Sequence, residues 1–261
     1  MITPAPSTVR HGATLAWRGI VKTVHSPEAL LDVTLQPVVF LLLFVYVFGG
    51  AIAGDTQTYL QFALPGVLVQ TFVFASAGTG TALADDLNSG IFDRFRTLPI
   101  ARSAPLVGAI TADLVRYLTS GLIMLVLGVV LGFRFGTGPV AVVAALGLVT
   151  AFAFALCWVF TALAMVVRQP RSVQGLGALI MLPITFGSTV FVPAETMPWW
   201  LRAFVEVNPV SKLSEAVRGL LTGGPVAGPA TAALVASAVI VAVFAPLAVA
   251  LYHRRTWTGP R

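Results

Sequence analysis

Residues Val140 to Val167 read VAVVAALGLVTAFAFALCWVFTALAMVV, twenty-eight consecutive positions without a charged side chain, closed by Arg168-Gln169-Pro170-Arg171. A bilayer-spanning helix needs roughly 20 mostly apolar residues, so this run is long enough to cross. The rest of the chain repeats the pattern. Of its 261 residues, 57% are apolar and only 10% are charged, and the mean hydropathy is +0.91. A soluble domain carries about 25% charged residues. The deficit suits a surface that faces lipid.

Working outward from 140–167, further apolar runs fall at 33–53, 59–84, 106–133, 173–192 and 230–251. The expected fold is therefore a single all-α integral membrane domain, residues 1–261, with six transmembrane helices. Pro37 and Pro183 are expected to kink the first and fifth spans. The second span is rich in small residues from Ala75 to Ala84, which let helix backbones approach closely in lipid. Its Gly78-Thr79-Gly80 is no nucleotide loop, since no strand precedes it and no third glycine follows in register. Cys157 is the sole cysteine and lies in an apolar run. That excludes an intramolecular disulfide and a cysteine metal cluster.

At the N-terminus, Arg10, Arg18 and Lys22 interrupt the chain before any apolar core develops, so no signal peptide is expected. Ala13, Ala16, Trp17, Ile20, Val21 and Val24 recur at steps of three and four, with Thr14, Arg18, Lys22 and His25 opposite. Residues 8–26 thus read as an amphipathic helix lying in the headgroup plane, or as a soluble helix packed on a partner. Ser26-Pro27-Glu28 supplies an N-cap, a proline at the first helical position and an acid near the positive helix end.

Charge placement orients the spans. Eleven Lys and Arg flank one side: Arg10, Arg18 and Lys22; Arg94, Arg96 and Arg102; Arg168 and Arg171; and Arg254, Arg255 and Arg261. Only Arg134, Arg202, Lys212 and Arg218 lie on the other. The positive-inside tendency places both termini in the cytoplasm. The same pattern explains the net charge of +6 without nucleic acid, which would need the basic residues clustered on one face.

Chemistry is sparse within the spans. His11, His25 and His253 all lie near the termini, so no span offers a histidine metal site. Neither Lys22 nor Lys212 follows a glycine, so the chain lacks the Gly-Lys step of a phosphate-binding loop. Charges inside spans are costly, roughly 2.5–3.5 kcal/mol each at the bilayer centre. Asp113 and Arg116 are three apart on the third span and can pair. The uncharged stretch Tyr117–Phe133 is itself nearly long enough to cross. This puts the pair at the cytoplasmic interface with Arg116 snorkelling; a gating role is the alternative.

Two segments between spans carry structure. In the cytoplasmic loop 85–105, Ile91, Phe92, Phe95 and Leu98 could form an apolar edge at helical spacing, with Asp93, Arg94 and Arg96 around it. A short amphipathic helix of this kind invites a protein partner, or folds against the inner leaflet. Between spans five and six, 193–229 reads as an extracellular helical hairpin. Pro198-Trp199-Trp200-Leu201 opens one short helix, its tryptophans suited to the membrane interface. Asn208-Pro209 caps a second, running from Val210 to Leu221, and Gly223-Gly224-Pro225 ends it. The hairpin is either a lid over the external mouth or a passive cap.

In their order these motifs resemble the permeases of the ABC-2 exporter family, nearest the daunorubicin/doxorubicin-resistance type. The resemblance runs through Leu64-Pro65-Gly66, then Asp86, Gly90, Asp93-Arg94-Phe95 and Leu98-Pro99. It continues with Arg102, Gly108 and Asp113, and ends with Asn208-Pro209-Val210-Ser211 and Arg218. Many relatives carry a Glu-Arg-Glu-like run entering the loop, where this chain has Asp85-Asp86-Leu87-Asn88. The resemblance implies that 85–105 holds a coupling helix docking into a separate ATP-binding subunit through Gly90, Phe92, Asp93, Arg94, Phe95 and Arg96. It also implies two permease chains, as a homodimer or heterodimer, lining a shared pathway in the bacterial cell membrane. ATP and magnesium would sit on the partner, leaving this chain with no catalytic residue and no cofactor. The expected cargo is an amphipathic drug, polyketide or lipid. A proton-coupled secondary transporter is the alternative, although it calls for buried titratable residues and an internal repeat. A lipid-modifying membrane enzyme would need a catalytic cluster near Asp85, Asp86 or Asp113.

Overall fold

The computed structural model describes residues 27–89, 104–167 and 169–257. Every regular element among them is helical. Helix α1 (Pro27–Leu43) passes through a π-helical turn, Phe44–Phe48, into α2 (Gly49–Ala53). Helix α3 (Thr56–Asn88), α4 (Ala104–Val130), α5 (Pro139–Val166) and α6 (Pro170–Phe186) follow. Two short helices, α7 (Trp199–Val207) and α8 (Pro209–Thr222), precede the long α9 (Ala227–Trp257).

The connections explain the layout. Gly54 adopts a φ of 72°, where glycine pays no Cβ penalty, and Asp55 caps α3 by accepting from the Thr58 N–H at 3.0 Å. That turns the chain back on itself. The helices then alternate direction. One end of the bundle carries the residue 54–55 turn, residues 131–138, and α7 with α8. The other carries the 89–104 and 167–169 connections, and is called here the loop end.

Helix α3 is the hub. It packs on α1, α4, α5, α6 and α8, and 72% of its apolar window is buried, against 11% for α9. Its small residues explain the closeness: a Cβ on Gly80 would lie 2.7 Å from the Phe160 carbonyl oxygen of α5. On the outside, Val39, Leu179 and Val235 are exposed. An outer surface of this kind fits hydrocarbon.

Among the described residues, five helices are long and apolar enough to cross a membrane: Leu35–Ala53, Thr56–Asn88, Asp113–Val130, Pro139–Val166 and Ala227–Tyr252. The expected fifth span, at 173–192, is the shorter α6. Its 17 residues correspond to about 26 Å, against roughly 30 Å of hydrocarbon. The helix ends at Phe186 because local polar groups compete with its ladder. Ser188 Oγ donates to the Thr185 carbonyl at 2.5 Å, and the Val190 N–H turns onto Ser188 Oγ at 3.3 Å.

Other boundaries shift as well. Helix α3 continues through Asp85–Asn88, which the sequence reading places in the loop, and Ser89 N–H still bonds the Asp85 carbonyl at 2.9 Å. Carboxylates are no obstacle to a helix that emerges among solvated groups. Helix α4 stops at Val130. Gly132, at a φ of 102°, lets the Phe133 N–H reach back to the Gly128 carbonyl at 2.8 Å, the closure that ends many helices.

Candidate functional site

A half-open cavity of about 600 Å³ lies along one side of α3. Helix α1 contributes Gln36 and Phe40; α3 contributes Gln70, Phe74 and Asp85; α4 contributes Arg116; and α6 contributes Gln174 and Met181. Polar side chains on membrane helices face the bundle interior or a water-filled cavity. Of the six glutamines in the sequence, Gln57, Gln61 and Gln169 sit at helix ends, while the other three all line this cavity. Gln70 is only 5% exposed, and its Oε1 has no hydrogen-bond partner.

The structure brings Asp113 and Arg116 together at 3.0 Å on α4, each about one-fifth exposed at 18% and 22%. Arg116 lines the cavity and its Nε is unpartnered. The guanidinium lies 5.6 Å from the Tyr117 ring centroid. Behind it, the Tyr117 hydroxyl donates to the Ala75 carbonyl at 2.7 Å and meets Thr79 Oγ1 at 2.5 Å, with Cys157 Sγ 3.5 Å beyond. The pair is thus set between the cavity and a buried polar chain tying α3, α4 and α5 together. An uncharged run after Arg116 gives depth along a helix but not which face meets a neighbour.

The opposite end is built differently. Asn208 caps α8 by accepting from the Val210 N–H at 2.9 Å, and its Nδ2 donates to the Ile184 and Gly187 carbonyls at 2.7 and 2.8 Å. One amide therefore joins the start of α8 to the end of α6. Pro209 occupies the first position of α8. Trp199 and Trp200, at 83% and 60% exposed, stand out from α7.

Arg218 of α8 is the residue that the motif reading undervalued. Its Nη2 donates to the Thr189 carbonyl at 2.8 Å and its Nε to the Phe62 carbonyl at 3.3 Å, while the guanidinium covers the Phe62 ring at 3.7 Å. Pro65 supplies no N–H to the Gln61 carbonyl one turn back, so the helix ladder is interrupted beside Phe62. Burial brings the guanidinium down to about 10, opposed by Glu215 and Tyr59. It stays charged at neutral pH. Nearby, the Tyr59 hydroxyl donates to the Phe191 carbonyl at 2.9 Å. A sequence signal existed: in α8, Lys212 and Glu215 can pair at a spacing of three, which leaves Arg218 as the remaining charge of a short helix.

The 8–26 helix and the loop residues Gly90, Phe92, Asp93, Arg94, Phe95 and Arg96 lie outside the described residues.

Comparison with known proteins adds a family. The profile for "ABC-2 type transporter" matches residues 11–222. The chain is 42% identical over 253 residues to the "Daunorubicin resistance ABC transporter permease protein DrrB1" of Streptomyces coeruleorubidus, covering 97% of this chain and 89% of that protein. It is 31% identical to the "Probable doxorubicin resistance ABC transporter permease protein DrrC" of Mycobacterium tuberculosis, covering 85% and 80%. It is also 26% identical to the "Putative transport permease ycf38" of Cyanophora paradoxa, covering 79% and 72%.

Proposed function

The chain belongs to the ABC-2 type transporter family as a multi-pass permease subunit of the bacterial membrane, and from that premise we propose that it exports a planar or amphipathic drug of the kind its relatives are named for. The family implies an ATP-binding partner subunit. The observation that carries the cargo reading is the cavity: a drug-sized space with amide and charged lining, cut into a bundle whose outer surface is apolar. Pockets of 300–1,000 Å³ suit drug-sized ligands. A bundle that only filled membrane would have no reason to hold three glutamines there.

In this reading both termini are cytoplasmic, so the loop end faces the ATPase and α7 with α8 face outside. The coupling segment at Gly90, Phe92, Asp93, Arg94, Phe95 and Arg96 docks into the partner. Helices α3 and α4 leave that segment directly, and both line the cavity. ATP-driven closure of the partner would therefore move Asp85 on one wall and Arg116 on another. A second permease chain closes the open side, giving alternating access through a shared pathway.

One experiment tests the assignment. The chain is expressed with an ABC ATPase subunit, and daunorubicin accumulation is followed in cells alongside co-purification. Export is expected with an active ATPase and not with a Walker-lysine variant of it. Phe92→Asp with Phe95→Asp is expected to abolish co-purification and export while leaving membrane insertion intact. Export that persists without ATP and follows a proton gradient would sink the exporter reading. Unchanged co-purification of the double variant would sink the docking assignment alone.

A further inference from the structure

We propose that Arg116 is the moving part of a gate at the loop end of the cavity. In the structure it pairs with Asp113 of its own helix, and it changes partner to Asp85 of α3 when the walls close. This rests on the exporter reading for its driving force, and it names the residues that respond to that force.

The cavity holds one pair of opposite charges. Among the described residues that line it, Asp85 is the one acid and Arg116 the one base. They stand on the two helices that flank the 89–104 connection, Asp85 in the last turn of α3 and Arg116 on α4. Asp85 is exposed and forms no ion pair among the described residues. Its neighbour Asp86 does not line the cavity.

The two charges lean toward each other. Helices α3 and α4 run in opposite directions, and each Cα–Cβ bond tilts toward the start of its own helix. Asp85 therefore leans back along α3 toward Gly78, while Arg116 leans along α4 toward the loop end. The guanidinium is already at this wall: a Cβ on Gly78 would have Arg116 Nη2 as its neighbour at 4.0 Å. From Gly78 to Asp85 is two turns, or about 10 Å along the axis. Gly78, Ala82 and Asp85 follow one another on one face and are all exposed. The track between the two charges holds nothing larger than Thr81.

The present pairing leaves the guanidinium under-used. Nη2 meets Asp113 Oδ1 at 3.0 Å, but Nε is buried without a partner. An arginine can bond one carboxylate through two parallel N–H groups. Asp113 does not depend on the arginine alone, since the Thr79 hydroxyl also hydrogen-bonds its carboxylate. Arg116 can leave while Asp113 stays bonded. Partly exposed pairs hold weakly, so a modest pull through the 89–104 connection is enough to change which carboxylate the arginine prefers. Paired with Asp85, the same side chain crosses from α4 to α3 and shuts the loop end. The exchange turns a small shift of two walls into two discrete states that a partner can bias.

The test uses the full-length chain with an ABC ATPase subunit in lipid nanodiscs. Ala82→Cys is the reporter on the track, and a small charged methanethiosulfonate reagent is the probe. Cys157 is fully buried, so the parent serves as the blank. Labelling is expected to be fast without nucleotide and about tenfold slower with MgATP and orthovanadate, as for a two-state gate whose populations shift by that factor. In the same background Asp85→Asn and Arg116→Gln should each lose the protection. Asp85→Glu, which keeps the carboxylate, should retain it. Thermal melting of each variant checks that the fold is kept. Protection that survives Asp85→Asn overturns the gate, and so does protection lost equally in Asp85→Glu. Protection that never develops while orthovanadate stops the ATPase overturns it too. In each case daunorubicin export by the parent complex leaves the exporter reading standing. Absence of export from the intact complex removes that reading instead.

Discussion

The two ends of this bundle use polar side chains in opposite ways. At the end carrying α7 and α8, Arg218 and Asn208 between them serve two helices and the turn at 187–191, and they bond four backbone carbonyls. Along the cavity, from the middle of α3 toward the loop end, Gln70 Oε1 and Arg116 Nε have no partner and Asp85 and Arg116 line open space, whereas the unpartnered side-chain atoms at the first end are two hydroxyls, Thr185 Oγ1 and Ser211 Oγ. Satisfied networks rigidify, whereas unsatisfied ones await a ligand or a second conformation. The difference separates a clamp from a working surface. It also predicts that substitutions at the first end act through stability, and at the second through transport.

Arg218→Ala should have the largest effect on the fold. It removes charge-assisted hydrogen bonds worth about 1.5–3 kcal/mol and a guanidinium–ring contact worth about 0.5–2 kcal/mol. It also takes one donor from each of the Thr189 and Phe62 carbonyls. For a chain of this size, a loss of about 3 kcal/mol corresponds to a thermal midpoint lower by about 6–12 °C. Differential scanning fluorimetry of the purified protein reads it. Arg218→Lys keeps the charge without the fork and should recover only part. A midpoint within 2 °C of the parent (the scale of a neutral surface change, about 0.5 kcal/mol) would break the contrast at its strong end.

The loop end should respond in the reverse sense. Asp113 and Arg116 are partly exposed, and pairs of that kind contribute about 0–1 kcal/mol. Asp113→Asn and Arg116→Ala should therefore melt within about 4 °C of the parent. Drug export should nonetheless fall, because Arg116 borders the cavity and Asp113 fixes its direction. Exchanging the two, Asp113→Arg with Arg116→Asp, should restore the pair without returning the cation to the cavity, so export stays low. Recovery in the exchanged variant would show that only the pair matters, and the two ends would then differ less than their geometry suggests.

The helical class and most helix positions were legible because apolar length and punctuation are local. The 140–167 run needs no tertiary contact to be read, and neither does the Asn-Pro step opening α8. The early end of α6 was harder, since it depends on which carbonyl Ser188 chooses and on an amide arriving from Asn208. The cavity was hidden for a different reason. Gln36, Gln70 and Gln174 are 34 and 104 residues apart in turn and sit on three helices, so each alone reads as an isolated polar residue in a span. Only packing shows that they meet. Arg218 fell between the two cases: its position was noticed, and its partners Phe62 and Thr189 were not deducible from spacing.

The smallest expected effect tests whether the clamp end has any part beyond the fold. Trp199 and Trp200 project from α7 and are the most exposed aromatic pair at that end. Replacing both with Ala removes mostly exposed surface, so the thermal midpoint in detergent should change by little more than the roughly 0.5 kcal/mol typical of a surface substitution. In a bilayer the same rings sit where tryptophan prefers to be, at the headgroup level. The double variant should therefore lose more midpoint in nanodiscs than in detergent. A difference between the two media assigns these rings to the membrane interface. An equal, small loss in both would place them in water, and α7 would then be a cap that the bilayer does not touch.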